Sequence, residues 1–112
     1  MQDPIQILEK TKSTLILVEG IKDKQALESL GFTRVITLKN RPLFEVVESI
    51  EEKEIILLTD LDKEGKKLFS ILRKGLERRG VKTNNNLRRI LARLGVKTIE
   101  SLKEKDFENA NK

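Results

Sequence analysis

The sequence predicts an α/β protein with a central, mainly parallel sheet of three or four strands and helices on both faces. Two observations predict this class. Short continuous apolar runs at 15–18 and 55–58 are typical of buried parallel strands. Segments with helical spacing separate these runs, and alternating strands and helices form right-handed βαβ units. The 112 residues are enough for one domain with its own core.

Each element has a local reason in the sequence. The predicted strands are the runs richest in apolar and β-branched residues, and they cover 14–18, 34–38, 54–59 and 81–83. The predicted helices have apolar side chains at helical spacing, and they cover 4–12, 21–30, 42–50, 63–79, 87–94 and a last helix capped by Thr98. Pro42 suits the first turn of its helix, whereas Gly31, Gly80 and Gly95 follow helix ends.

The composition excludes several kinds of site. The chain has no cysteine and no histidine, so disulfides, thiolate metal sites and histidine-dependent catalysis are excluded. No apolar stretch approaches the roughly 20 residues of a membrane span. The first residues also lack the basic and apolar regions of a signal peptide. We therefore expect a cytoplasmic protein that contacts no membrane.

The charge is distributed unevenly along the chain. Residues 1–72 contain 11 Lys and Arg against 13 Asp and Glu, whereas residues 73–112 contain 12 against 5. A basic C-terminal third behind an acidic region suits a protein that binds polyphosphate or nucleic acid. A solvated helical surface rich in Lys and Arg would produce the same asymmetry.

Acidic side chains follow two of the predicted strands. Glu19 comes after the first strand, and Asp60 and Asp62 come after the third. Ligands of open α/β sheets bind at the carboxyl ends of the strands. Three carboxylates there repel one another unless a cation is present, and oxygen ligands suit Mg²⁺ or Mn²⁺. The pattern therefore predicts a magnesium or manganese site formed by Asp60, Asp62 and Glu19.

These acidic residues also have a structural interpretation. Asp62 precedes a helix start and Asp23 lies in a first helical turn, and both are positions where aspartate caps a helix. Gly20 is expected to permit the tight turn after the first strand. An isolated Asp-x-Asp is common, so neither interpretation is excluded by this motif alone.

Taken together, the motifs are more specific. The pattern E-G-x-x-D at 19–23 and the pattern T-D-x-D-x-E-G at 59–65 resemble those of the Toprim domain. This module is shared by topoisomerases, bacterial-type primases, OLD-family nucleases, RecR proteins and ribonuclease M5. The resemblance covers roughly residues 13–84, and the chain is most similar in layout to small stand-alone Toprim proteins of archaea and some bacteria. It implies a Rossmann-like three-layer sandwich at 1–84 with a basic helical C-terminal extension at 85–112 packed on it.

The resemblance also implies roles for single residues. Glu19 matches the general acid/base proposed for this family, and Asp60 and Asp62 match its metal-binding pair. The supporting positions of the two motifs are Gly20, Asp23, Glu64 and Gly65. Leu61 and Lys63 stand where type IA topoisomerases have a proline and an arginine.

Basic residues near the motifs and in the C-terminal third are candidates for phosphate contacts. These predicted nucleic-acid-binding residues are Lys22, Lys39, Arg41, Lys63, Arg88, Arg89 and Arg93. Helical spacing predicts that the last three point outward. With four phenylalanines and no Tyr or Trp, the chain has little to stack on single-stranded bases, which favours structured RNA over DNA.

The leading functional hypothesis is a magnesium-dependent nuclease or phosphotransferase that acts on nucleic-acid phosphodiesters, with RNA cleavage or processing of the ribonuclease M5 type preferred. One alternative is a non-catalytic nucleic-acid-binding or assembly module similar to RecR. Another is a primase-like or topoisomerase-like subunit that needs a larger protein partner in RNA processing or replication. The chain contains no tyrosine, so a covalent tyrosyl mechanism on this chain alone is excluded.

Overall fold

The computed structural model describes residues 3–109, which form a parallel sheet between two layers of helices. The strands are β1 (Ile16–Val18), β2 (Val35–Thr37), β3 (Glu54–Leu58) and β4 (Lys82–Thr83). The helices are α1 (Pro4–Thr11), α2 (Ile21–Ser29), α3 (Leu43–Ser49), α4 (Lys63–Arg78), α5 (Asn86–Arg93) and α6 (Glu104–Asn109), with a 3₁₀ helix at Ile99–Ser101 between the last two. The predicted fold class is confirmed.

The sheet has the strand order β2-β1-β3-β4, and all three neighbouring pairs are parallel. The register aligns the ends of the three longest strands, because Val18 pairs with Thr37 on one side and with Leu58 on the other. The residues that follow β1 and β3 therefore leave the sheet side by side. This alignment positions Glu19 next to the loop that begins at Thr59.

Each face of the sheet has its own apolar layer, since successive side chains of a strand point to opposite faces. Leu17 of β1 packs with Val46 of α3 and with Leu72 of α4. On the other face, the neighbours of Ile16 and Val18 come from α1, α2, α5 and the C-terminal residues. None of the described helices is long and apolar enough to cross a membrane.

The residues after 84 contribute side chains to the second layer. Six of them are buried in the same cluster as Ile16 and Val18, and they are Leu87, Ile90, Leu91, Ile99, Leu102 and Phe107. The Phe107 side chain is completely buried. Burial of one large apolar side chain contributes roughly 1.5–3 kcal/mol to the stability of the fold. The residues after 84 therefore contribute substantially to the stability of the whole domain. The division at residue 84 stays a prediction.

The last predicted helix is interrupted. A 3₁₀ turn at Ile99–Ser101 ends at Leu102, whose backbone is extended with φ −69° and ψ 138°. A new helix then starts, because the Asp106 carboxylate accepts the Lys103 N–H at 2.8 Å. The expected helix stops at Gly31, Gly80 and Gly95 are confirmed by their positive φ angles.

The two motif glycines differ in the constraint on them. A Cβ added to Gly65 would lie 1.9 Å from the backbone oxygen of Asp60, so only glycine allows the first turn of α4 to approach this loop. Gly20 has φ −144° and ψ −179°, an extended conformation that any residue adopts. A Cβ there would meet only Asp23 Oδ2, at 3.9 Å. The turn after β1 therefore fits Gly20 without depending on the conformational freedom of glycine.

We predict that Gly65→Ala lowers the free energy of unfolding by about 3 kcal/mol, the upper part of the range for overpacking, although alanine is the better helix former. The clash is with backbone, which cannot move aside as a flexible side chain can. Urea unfolding measures the change. Gly20→Ala is the matched control and should cost less than about 1 kcal/mol. Equal losses in the two variants would contradict the close approach at Gly65.

Candidate active site at the carboxyl edge of the sheet

A cleft of about 410 Å³ opens where β1 and β3 end. Its lining includes four carboxylates and one lysine. The lining residues are Glu19, Gly20, Ile21, Lys22, Asp23, Asp60, Thr98 and Glu100. The sequence motifs predicted five of these positions to act at the site. Thr98 and Glu100 belong to no motif, and only the fold of the C-terminal segment brings them here.

Glu19 connects the ends of the two central strands. Its Oε2 accepts the backbone N–H of Asp60 at 2.7 Å. Burial raises the pKa of the Glu19 carboxyl, and repulsion from Asp60, Asp23 and Asp62 raises it further, whereas the hydrogen bond from Asp60 lowers it. In the folded protein Glu19 therefore keeps its proton to a higher pH than an exposed glutamate.

Asp60 is attached to the C-terminal segment. Its Oδ1 accepts the backbone N–H of Ile99 at 2.9 Å. The next residue, Leu61, donates its backbone N–H to the carbonyl of Lys97 at 2.8 Å. The segment 97–99 therefore binds the loop after β3 through backbone groups, and it fixes the direction in which the Asp60 carboxylate points.

Asp62 is the N-cap of α4. Its Oδ1 accepts the backbone N–H of Gly65 at 2.8 Å, so the capping interpretation of this residue is confirmed. Asp62 is exposed and does not line the cleft. Glu64 is also exposed, and it lies 3.9 Å from Lys67. Of the two aspartates in the second motif, Asp60 therefore lines the cleft. Asp62 influences the cleft only through its charge.

Asp23 caps α2 and also belongs to the cleft. Its Oδ2 accepts the backbone N–H of Gly20 at 3.0 Å, and the residue is only 7% exposed. Burial raises the pKa of the Asp23 carboxyl, and the nearby Asp60 and Glu100 raise it further. Asp23 therefore both caps α2 and lines the cleft.

The carboxylates are only partly assembled as a metal site. Within residues 3–109, no three Asp or Glu side chains come together in an arrangement that could bind a metal ion. Glu19, Asp60 and Asp62 each accept a backbone N–H. Each carboxylate retains one oxygen that these bonds do not use. An acidic, oxygen-only donor set of this kind fits the chemistry of Mg²⁺ or Mn²⁺.

Arg88 supports the acidic loop from α5. Its guanidinium donates to the carbonyl of Thr59 at 2.5 Å and to the carbonyl of Asp60 at 3.1 Å. It also lies over the Phe69 ring, 4.4 Å from the ring centre. The outward orientation predicted for Arg88 is wrong, because α5 packs against the loop with this residue half-buried between them. Burial lowers the pKa of Arg88, and the charges of Glu19 and Asp60 oppose this shift.

The other predicted phosphate ligands are spread around this edge of the sheet. Lys22 lines the cleft. Lys39 and Arg41 are exposed in the turn after β2, where Arg41 donates to the carbonyl of Thr37 at 2.8 Å. Asn40, in the same turn, adopts the left-handed conformation, with φ 55°. Lys63, Arg89 and Arg93 are exposed on α4 and α5.

A second, basic groove lies on the other side of the acidic loop. It has a volume of about 350 Å³ and is lined by Leu61, Lys66, Phe69, Arg73, Asn85, Arg88, Arg89 and Ala92. Leu61 directly follows Asp60, so one loop separates the basic groove from the acidic cleft. Sequence reasoning missed Lys66 and Arg73, because α4 is basic on several faces and only the packing of α5 shows which cations share the groove.

The sequence is similar to several known proteins. A UPF0292 protein of Thermococcus kodakarensis is 42% identical over 55 residues, which are 47% of this chain and 41% of that protein. A UPF0292 protein of Thermococcus sibiricus is 37% identical over 67 residues, which are 56% of this chain and 53% of that protein. The chain therefore spans about half the length of these curated relatives.

The fold has a solved counterpart. The structure of a putative protein from Aquifex aeolicus has a TM-score of 0.80 and 31% sequence identity, over 88% of this chain and 94% of that chain. The family model of the Toprim domain matches residues 13–91, which contain both acidic motifs and most of α5. This match covers well over half of the sequence, and the chain belongs to the Toprim domain family.

Proposed function

We propose that this protein binds a divalent cation at the acidic cleft and cleaves or processes RNA phosphodiesters, as ribonuclease M5 does. Membership of the Toprim domain family supports a metal-dependent role on nucleic acid. The observation that carries the proposal is the position of the acidic cleft directly beside the basic groove. A phosphodiester backbone is negatively charged, so the cations of the basic groove would attract it. A divalent ion in the cleft would offset the negative charge of the carboxylates and so allow a phosphate to come near them.

Glu19 and Asp60 would bind the ion, and Asp62, which caps α4 outside the cleft, would add its negative charge. When bound, Mg²⁺ or Mn²⁺ supplies charge stabilisation at phosphoryl oxygens. The direction of the Glu19 pKa shift supports this assignment. Burial raises the pKa of Glu19 most, repulsion from the neighbouring carboxylates raises it further, and a cation would relieve that repulsion. Lys22, at the rim of the same cleft, would contact a phosphate oxygen of the substrate.

Glu19 is the proton-transfer group of the proposal. With no histidine in the chain, a carboxyl whose pKa is raised by burial is the group best suited to exchange a proton. Oε2 accepts the Asp60 N–H, so Oε1 is the oxygen left for both roles, and Glu19 would exchange a proton while Asp60 holds the ion. The same hydrogen bond orients the side chain, and Arg88 fixes the loop that donates it.

A second candidate is a non-catalytic nucleic-acid-binding module. The favouring observation is that Glu19, Asp60 and Asp62 each bind a backbone N–H and therefore have a structural role without any metal. In this case the basic groove would still bind nucleic acid. The two candidates differ in whether loss of a carboxylate removes metal binding and cleavage.

We predict that Mg²⁺ or Mn²⁺ binds the wild-type protein and binds Asp60→Asn at least about tenfold more weakly, a difference of about 1.4 kcal/mol. The asparagine can still accept the Ile99 N–H, so the fold is preserved while the charge is lost. Isothermal titration calorimetry with the metal alone measures both affinities. Glu64→Gln is the control and should bind as the wild type does, because Glu64 is exposed outside the cleft. Equal affinities for wild type and Asp60→Asn would contradict the assignment.

We predict that Glu19→Gln cleaves structured RNA at least about 100-fold more slowly than the wild type in Mg²⁺, since it loses the proton-transfer group. Glutamine retains an oxygen that accepts the Asp60 N–H. Cleavage rates are measured on gels, and RNA affinity is measured by fluorescence anisotropy in EDTA. RNA binding should be unchanged. A wild type that binds RNA but does not cleave it would favour the non-catalytic module instead.

We predict that Lys66→Ala/Arg89→Ala weakens RNA binding in EDTA about tenfold or more. The slope of log affinity against log salt concentration should fall by the equivalent of roughly two phosphate contacts. Both side chains are exposed cations of the basic groove. Affinity is measured as a function of salt concentration. Lys53→Ala/Lys82→Ala removes the same charge where β3 and β4 begin, away from the groove. A similar loss in both double variants would show that only net charge matters.

A further inference from the structure

The helix layer formed by α3 and α4 leaves large apolar side chains in solvent. Phe44 is 64% exposed and Ile71 is 55% exposed. Within residues 3–109, the remaining exposed side chain of this kind is Ile21, at the acidic cleft. Two such residues on neighbouring helices form an exposed apolar patch, and patches of this kind often mark a site that binds a partner.

A groove of about 460 Å³ lies between Phe44 and Ile71. A Cβ added to Gly75 would lie 3.3 Å from both methyl groups of Val47. The absence of a side chain at Gly75 therefore leaves room for Val47 to pack against α4. Gly75 and Val47 both line the groove, together with Phe44 and Ile71. The face therefore presents both an apolar projection and an apolar hollow.

The charges on the two sides of this groove are opposite. Glu48 lines it from α3, whereas Lys74 and Arg78 line it from α4. All three side chains are exposed, and among residues 3–109 none of them forms an ion pair. Arg79 differs, since its guanidinium donates to the carbonyls of Val47 and Ile50 and joins the two helices. The face thus has one acidic half and one basic half.

We propose that the α3–α4 face binds a second copy of this chain in a two-fold symmetric dimer. A two-fold axis places α3 of one copy against α4 of the other, so that the same patch is used twice. Phe44 then enters the apolar groove between α3 and α4 of the partner subunit. Glu48 comes to face Lys74 and Arg78 of the partner subunit.

The charge pattern is the reason for choosing a second copy. An acidic half and a basic half on one face are complementary to the same face rotated by 180°, and both pairings form at once. A nucleic acid would be repelled by the acidic half, and Phe44 and Ile71 offer it no charge. The proposal is independent of the acidic cleft, which lies at the edge of the sheet and not on this helix layer.

The test is the mass of the full chain in solution. Sedimentation equilibrium should give twice the 12.9 kDa of one chain. Phe44→Glu and Ile71→Glu should each weaken association about 100-fold or more, because a charge replaces an apolar contact at the centre of the interface. Ile21→Glu makes the same change at the third exposed site and should leave the dimer intact. Circular dichroism checks that each variant is folded.

A charge exchange tests the pairing itself. Glu48→Lys should weaken the dimer about tenfold, and Glu48→Lys combined with Lys74→Glu should restore most of the lost affinity. A wild type that is monomeric at all concentrations would overturn the proposal and leave the face to a different partner. A dimer that Phe44→Glu and Ile71→Glu do not weaken would also overturn it, since the contact would then lie elsewhere.

Discussion

Asp60 contacts four different parts of the protein through its backbone and its side chain. Its N–H binds Glu19 at the end of β1, and its carbonyl binds Arg88 of α5. Its side chain binds the N–H of Ile99 in the C-terminal segment. The first turn of α4 approaches its backbone so closely that only Gly65 fits. The position of one loop therefore depends on elements that are far apart in the sequence.

This convergence fixes the position of a short acidic loop. Burial and mutual repulsion disfavour the charged forms of Glu19 and Asp23, as the raised pKa values of both carboxyls show. Backbone N–H groups compensate part of this cost, because each of these carboxylates accepts one. Arg88 adds a positive charge from behind the loop. In the proposed function, a bound cation would relieve this repulsion.

The two helix layers have different roles. The layer of α1, α5 and the C-terminal residues encloses the second core, and its backbone also binds the acidic loop. The layer of α3 and α4 covers the other face of the sheet around Val46 and Leu72. It takes no part in the cleft, and its outer surface carries Phe44 and Ile71. The acidic cleft thus lies at one edge of the sheet, and α4 contributes only to the neighbouring basic groove.

Local sequence by itself determined the α/β class, the helix ends at glycine and the position of Glu19 and Asp60 at strand ends, because these features depend on apolar periodicity and on nearby residues. Most of the fold and the centre of the cleft were predictable in this way. Tertiary structure decided that Arg88 points inward, that Thr98 and Glu100 line the cleft, and that Gly65 rather than Gly20 is sterically required. These features depend on contacts between residues far apart in the chain. The pattern of residues within one segment does not show which other segment will pack against it.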